Sequence, residues 1–274
     1  MTIAIELLNS LLPVLYALCA AAYLLLFLKN DPLVQRIAPR MLTITLALHL
    51  ADVTLRVVAL RHIPLASIYE ALTMIALALA LVYKVIERSE KMPFTGVFVV
   101  TMAFVCQTVS SALINHTGEI NEILRSPWFG VHTTTAVVGY VAFAVSAIYG
   151  VLYVMLYHDL KSRQFGVVYE RLPSLEVLAQ MNYRATLVGF WLLTLAIAVG
   201  IMWSFQAFGS VAWGDPKMWT TVAIWLAYAV YLIARHVAHW SRLRLVYVSL
   251  VGFGLVAISM LVVNALVRSF HSFT

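Results

Sequence analysis

Apolar runs of twenty or more residues fill this chain almost from end to end, and nothing else about it constrains the fold so strongly. A helix rises about 1.5 Å per residue, so about 20 apolar residues cross the roughly 30 Å hydrocarbon core of a bilayer. Eight runs qualify, at residues 3–28, 40–61, 66–87, 93–114, 129–157, 185–208, 218–238 and 245–267. Inside lipid the backbone must satisfy its own N–H and C=O groups, which leaves helices or a closed barrel. No alternation of period two competes with the helical reading. The expected fold is therefore an all-α polytopic membrane protein, a bundle of eight transmembrane helices. No long linker interrupts the runs, so residues 1–274 read as a single domain. The composition agrees: 63% of residues are hydrophobic and 11% charged, against about 25% charged in soluble domains.

The loops set the expected orientation. Lys29, Arg36, Arg40, Lys84, Arg88, Lys91, Lys161, Arg163, Arg171, Arg184, Arg235, Arg242 and Arg244 fall in one alternating set of loops, 13 of the 18 Lys and Arg. Arg56, Arg61, Arg125, Lys217 and Arg268 lie on or toward the other side. Positive charge marks the inner side, so both termini are expected outside. The net charge of +6 is topology signal on this reading and points to no nucleic acid. The lipid bilayer is the partner it implies. Cys19 and Cys106 both sit inside apolar runs, as small buried hydrophobes rather than a disulfide. No basic residue precedes the first run, so no cleavable signal peptide is expected. The largest inner loop, 158–184, contains LPSLEVLAQMNYR, which reads as a short interfacial helix.

Ionisable groups within spans are costly and face a partner or a cavity. His49, Asp52 and Arg56 are spaced by three and four residues, so they share one face of the second span. That face is either a self-neutralising Asp52–Arg56 pair that locks packing or a polar path or ligand contact. Glu70, at the start of the third span, is either an end cap, a partner for Arg61, or a site residue. His132 opens the fifth span and His271 follows the eighth, both on the expected outer side. A neutral imidazole is a good axial ligand for haem iron, and bis-histidine ligation needs one ring from each side of the porphyrin. Both histidines read equally as interfacial residues. His236 and His239 read as snorkelling residues at the inner surface. Two mid-membrane bis-histidine haems would need four intramembrane histidines, and only His49 qualifies.

Between the sixth and seventh runs lies GSVAWGDPKMW, residues 209–219. Aromatic residues gather at membrane interfaces without any ligand. A belt does not require the turn, however. Gly209 and Gly214 allow close backbone approach, and Asp215-Pro216 breaks the chain and starts the next helix. Trp203, Phe208, Trp213 and Trp219 surround it, a surface on which a flat apolar ligand could rest with acidic groups reaching Lys217, Arg125 or Arg268. No phosphate-binding glycine loop, Cys-x-x-Cys pair or zinc-type HExxH motif occurs.

Five dispersed stretches carry a resemblance. RHIPLASIYEAL, LRSPWFGVHTTTAVVGYVAFA, LPSLEVLAQMNYRATLVGF, WLAYAVYLIAR and VNALVRSFHSF follow the order and pattern of the CcsA/ResC family of cytochrome c assembly proteins, the WWD haem-handling proteins, with their HemX-like relatives. The resemblance implies that His132 and His271 are external axial ligands of haem iron, with haem b as the group bound or moved. It implies that Trp203, Phe208, Trp213, Asp215, Lys217 and Trp219 belong to the haem-binding loop. It further implies a bacterial inner-membrane protein with a periplasmic functional face, a component of a system II holocytochrome c synthase working with a CcsB/ResB-like partner on apocytochrome c. The alternative is a HemX-like haem-binding or regulatory protein without enzymatic activity, and the enzyme question stays open. Departures from the pattern sharpen that alternative. In AFGSVAWGDPKMWT, Trp203, Gly209, Asp215, Pro216 and Lys217 match, while Phe208, Ala212 and Gly214 stand where tryptophans are expected. Ile233 stands where the family usually has an intramembrane histidine.

Overall fold

The computed structural model describes residues 2–60, 63–65, 67–90, 92–114, 126–163, 165–211 and 213–260. The described regular structure is helical throughout: α1 (Thr2–Lys29), α2 (Pro32–Leu60), α3 (Ile68–Ser89), α4 (Gly96–Leu113), α5 (Pro127–Ser162), α6 (Val167–Arg171), α7 (Leu175–Phe208), α8 (Pro216–His236) and α9 (Arg242–Ile258). Among the described residues seven helices are long and apolar enough to cross a membrane, which makes this a multi-pass membrane protein. The eighth expected span is described only as α9, 17 residues long, and its remaining stretch lies outside the described residues.

Two helix boundaries differ from the sequence expectation. α2 begins at Pro32, eight residues before the expected span, with Pro39 inside it. LPSLEVLAQMNYR forms no separate interfacial helix. Ser174 caps the backbone N–H of Val177, and α7 then runs unbroken for 34 residues. No Gly or Pro interrupts residues 175–188, so nothing stops the helix before its apolar part begins. At 1.5 Å per residue α7 is about 51 Å long, well beyond the roughly 30 Å hydrocarbon layer.

The chain divides into two compact units. The first takes Met1–Glu119 with Phe165–Pro173. Its packing follows from two stripes spaced by alternating threes and fours. On α1, Leu12, Tyr16, Cys19, Tyr23 and Leu26 are fully buried. On α2, Ala38, Leu42, Thr45, His49, Asp52 and Arg56 are buried likewise. A spacing near 3.5 residues keeps one seam facing its partner along the whole contact. Hydrogen bonds fix the antiparallel register: Asn9 meets Arg56 at 3.0 Å, Tyr16 meets His49 at 2.9 Å and Cys19 meets Thr45 at 3.3 Å. Leu11, Val14, Leu18 and Leu25 on the opposite faces of α1 are exposed, as lipid-facing side chains are.

The second unit takes Ile120–Gln164 with Ser174–Thr274. α5 is its central helix, packed on α7 and α9, with α8 on α9. Residues 139–147 of α5 are buried on every side, the mark of a helix surrounded by others. Phe143 stacks on Tyr228 of α8 with centroids 3.6 Å apart and planes 3° from parallel. Asn182 of α7 is a buried polar hub. Its amide nitrogen donates to the Ser146 carbonyl at 2.8 Å, and Ser146 Oγ and Ser249 Oγ lie at 2.9 and 2.8 Å. Its carbonyl accepts from Tyr231 at 2.8 Å. Three helices are thereby tied to α7 by directional bonds in a region where apolar packing alone selects little.

Candidate functional site

His132 lies one turn and a half into α5, half-buried against α7. Its Nδ1 is 2.8 Å from the Ala196 carbonyl oxygen. A carbonyl only accepts, so Nδ1 carries the hydrogen, and the neutral ring then holds its lone pair on Nε2. An imidazole oriented through one nitrogen in this way is prepared to ligate through the other. Gly200, one turn beyond Ala196, makes the seat. A Cβ there would come within 2.6 Å of His132 Cε1 and 2.7 Å of Nδ1. Trp203 completes it, its ring 13° from parallel with the imidazole at a centroid distance of 6.4 Å. Trp203 itself is buried, tilted against Phe129 at 5.3 Å.

The loop after α7 is built from its own polar atoms. Gly209 takes φ +70° and ends the helix, its N–H donating to the Phe205 carbonyl at 3.0 Å. That backbone conformation favours glycine over any residue with a Cβ. Ser204, next to Trp203, donates to the Ser210 carbonyl at 2.9 Å and draws the loop back onto the helix. Asp215 is buried and caps α8, accepting from the Lys217 N–H at 2.8 Å, with Pro216 at the first helical position. Trp219 Nε1 donates to the Trp213 carbonyl at 2.9 Å, and the two rings sit 6.4 Å apart. Both rings are exposed, Trp213 by 61% and Trp219 by 58%. They offer an apolar surface held in place by the loop rather than a filled core.

Thr220 Oγ1, one residue past Trp219, lies 3.0 Å from Ser259 Oγ just beyond α9. The C-terminal end of α9 therefore lies beside the N-terminal end of α8. Within the second unit the His132 seat, the end of α7, the 209–219 loop and the last described residues all gather at one end. His271 itself lies outside the described residues, as do Arg125 and Arg268, and so does the side chain of Phe208.

The second-span residues resolve differently. His49, Asp52 and Arg56 share one buried face of α2 as their spacing implies. Arg56 Nε donates to Asp52 at 2.8 Å and its Nη2 donates to Asn9. His49 meets the Tyr16 hydroxyl edge-on. These bonds tie α2 to α1. Glu70 forms a capping box with Ser67: Ser67 Oγ accepts from the Glu70 N–H at 3.1 Å, and Glu70 accepts from the Ser67 N–H at 3.3 Å. Its first role is to start α3. Three residues of the site escaped the sequence reading, namely Phe129, Ala196 and Gly200. Only Gly200 left a trace, as one of two glycines, with Gly189, inside an apolar helix.

Comparison with known proteins places the chain. A family model described as Cytochrome C assembly protein matches residues 65–271. The chain belongs to the cytochrome c assembly protein family. Within this family it is similar to the cytochrome c biogenesis protein CcsA of Parasynechococcus marenigrum, 27% identical over 237 residues that cover 77% of this chain and 78% of that one. CcsA of Mesostigma viride is 25% identical over 236 residues, covering 77% of each. Among solved structures, the Cytochrome c Heme Lyase CcmF superposes with a TM-score of 0.69 at 16% identity. The match covers 98% of this chain and 47% of CcmF, so this chain spans about half of that protein's length. At that identity the likeness is one of fold. His132, Trp203 and the whole 209–219 loop lie inside the family match, whereas the α1 stripe and His49, Asp52 and Arg56 precede it.

Proposed function

We propose that this cytochrome c assembly protein handles haem b, presenting it at the periplasmic face of a bacterial inner membrane for attachment to apocytochrome c. The observation that carries the reading is His132, whose Nδ1–H is committed to the Ala196 carbonyl. His132 Nε2 and His271 would hold the haem iron between them. Trp203 backs the first ring, and Trp213 and Trp219 of the loop after α7 supply exposed apolar surface. Lys217 serves the propionates. The reaction served adds each cysteine S–H of the apocytochrome across a haem vinyl, forming a C–S bond. This chain contributes position and axial ligation and no nucleophile of its own. A CcsB/ResB-like membrane protein completes the synthase.

The experiment is a haem spectrum of the purified chain, of His132→Ala and of His271→Ala. A six-coordinate haem spectrum in the parent and its loss in either variant is the expected result. A parent without haem, or haem unchanged by both substitutions, overturns the assignment.

A second reading has one specific observation in its favour. Ile233, where the resemblance leads one to expect a histidine, is 59% exposed on α8, and His236, one turn on, is engaged by the Tyr183 hydroxyl at 3.1 Å. A HemX-like binder would keep the His132 seat without the synthase. Coexpression with a CcsB-type partner and an apocytochrome separates the two: covalent haem product supports the synthase, and haem binding without product supports the binder.

A further inference from the structure

A cavity of about 140 Å³ opens in the first unit where the segment 171–173 meets the turn leading into α4. Met92, Phe94, Thr95, Arg171, Leu172 and Pro173 line it. Pro93 starts the short 3-10 turn that presents Phe94, and α6 ends at Arg171. The Arg171 guanidinium lies over the Phe94 ring, 5.5 Å from its centroid. Its Nε is buried and has no hydrogen-bond partner among the described residues. The carboxylate of Glu87 in the same unit is already taken, by Lys84 at 3.0 Å and by the Tyr23 hydroxyl. A buried guanidinium N–H without an acceptor carries a desolvation cost, which an anion placed against it removes.

We propose that this cavity is a phosphate-oxyanion site with Arg171 as its cationic group. Size selects the class. A water needs at least about 10–15 Å³ of such cavity space, so the cavity has room for several waters. Drug-sized ligands need about 300–1,000 Å³, so a porphyrin is excluded and one tetrahedral oxyanion fits. Chemistry selects it too. The planar fork of Arg matches two oxygens of a phosphate, and its stacking on Phe94 holds that fork in one orientation. The remaining wall of Met92, Leu172 and Pro173 is apolar, as suits the carbon attached to a phosphodiester. The turn at Pro93–Thr95 joins two membrane-length helices, so the cavity lies at membrane-surface level. A phospholipid head group and free phosphate both reach it there.

Isothermal titration of the full chain in maltoside detergent tests the proposal, with dihexanoyl-phosphatidylglycerol, dihexanoylglycerol and inorganic phosphate as three separate probes. One saturable site for phosphatidylglycerol is expected, weakened at least tenfold in Arg171→Ala and less in Arg171→Lys. Met92→Trp keeps the guanidinium and fills the cavity, and it should weaken binding at least tenfold as well. Phosphate binding with the same dependence on Arg171 identifies a free anion as the ligand. Phosphatidylglycerol binding without phosphate binding identifies a head group. Absence of saturable binding to both, equal binding of dihexanoylglycerol, or binding unchanged in Arg171→Ala or Met92→Trp overturns the site.

Discussion

His132 of α5 and Ala196 of α7 are joined across two helices by a hydrogen bond of 2.8 Å from ring nitrogen to backbone oxygen. A backbone carbonyl cannot be removed by substitution, so this seat is probed through its neighbours. Gly200→Ala places a Cβ at 2.6 Å from the His132 ring. The ring must then leave the Ala196 carbonyl or the helices must separate. Overpacking of this kind costs about 1–3 kcal/mol. A lower melting temperature together with weakened haem absorption is expected. Haem absorption that survives unchanged in a folded Gly200→Ala would separate the Ala196 bond from ligation.

The Asp52–Arg56 pair is fully buried, so its two members are unequal to their sum. Asp52→Leu alone leaves a buried guanidinium without its carboxylate, and the loss is about 3–5 kcal/mol. The double substitution Asp52→Leu with Arg56→Met removes both charges and should recover most of it. Thermal unfolding in detergent, followed by circular dichroism, reads both. A double variant no more stable than the single one would point to a role for the charges beyond packing.

Asn182→Leu deletes the hub that binds Ser146, Ser249 and Tyr231. Each buried partner left without its bond costs about 1–3 kcal/mol, and several lose theirs at once. The expected outcome is failure to purify as a monodisperse species, with Asn182→Asp partly tolerated because its oxygen still accepts from Tyr231. Size-exclusion chromatography of both variants checks it.

The loop carries a milder pair of tests. Asp215→Ala removes the cap of α8, at about 0.5–2 kcal/mol. Trp219→Phe keeps an aromatic ring and removes the donor to the Trp213 carbonyl, at about 0.5–1.5 kcal/mol. Faster hydrogen exchange confined to residues 209–219 is the expected signature of both. Exchange that rises through α7 as well would show that the loop braces the whole second unit.

Much of this protein was legible before folding. The apolar runs predict the membrane helices because a bilayer admits few alternatives to a helix of about 20 residues. The spacing of His49, Asp52 and Arg56 put them on one face, and the Asp215-Pro216 pair announced the start of α8. These are local properties, set by periodicity and by backbone chemistry within a few residues. Which partners those faces meet was not local. Asn9, 47 residues from Arg56, completes the first polar seam. Ala196 and Gly200, 64 and 68 residues after His132, decide how its ring is held. Asn182 reads in sequence as one polar residue near an inner loop, and in the fold it ties three helices to a fourth. Sequence alone determined that the chain crosses a membrane as helices, because lipid leaves the backbone no other partner, while the starts of α2 and α7 lie outside their apolar runs. Tertiary structure decided which nitrogen of His132 carries the proton, because that depends on a carbonyl presented by another helix.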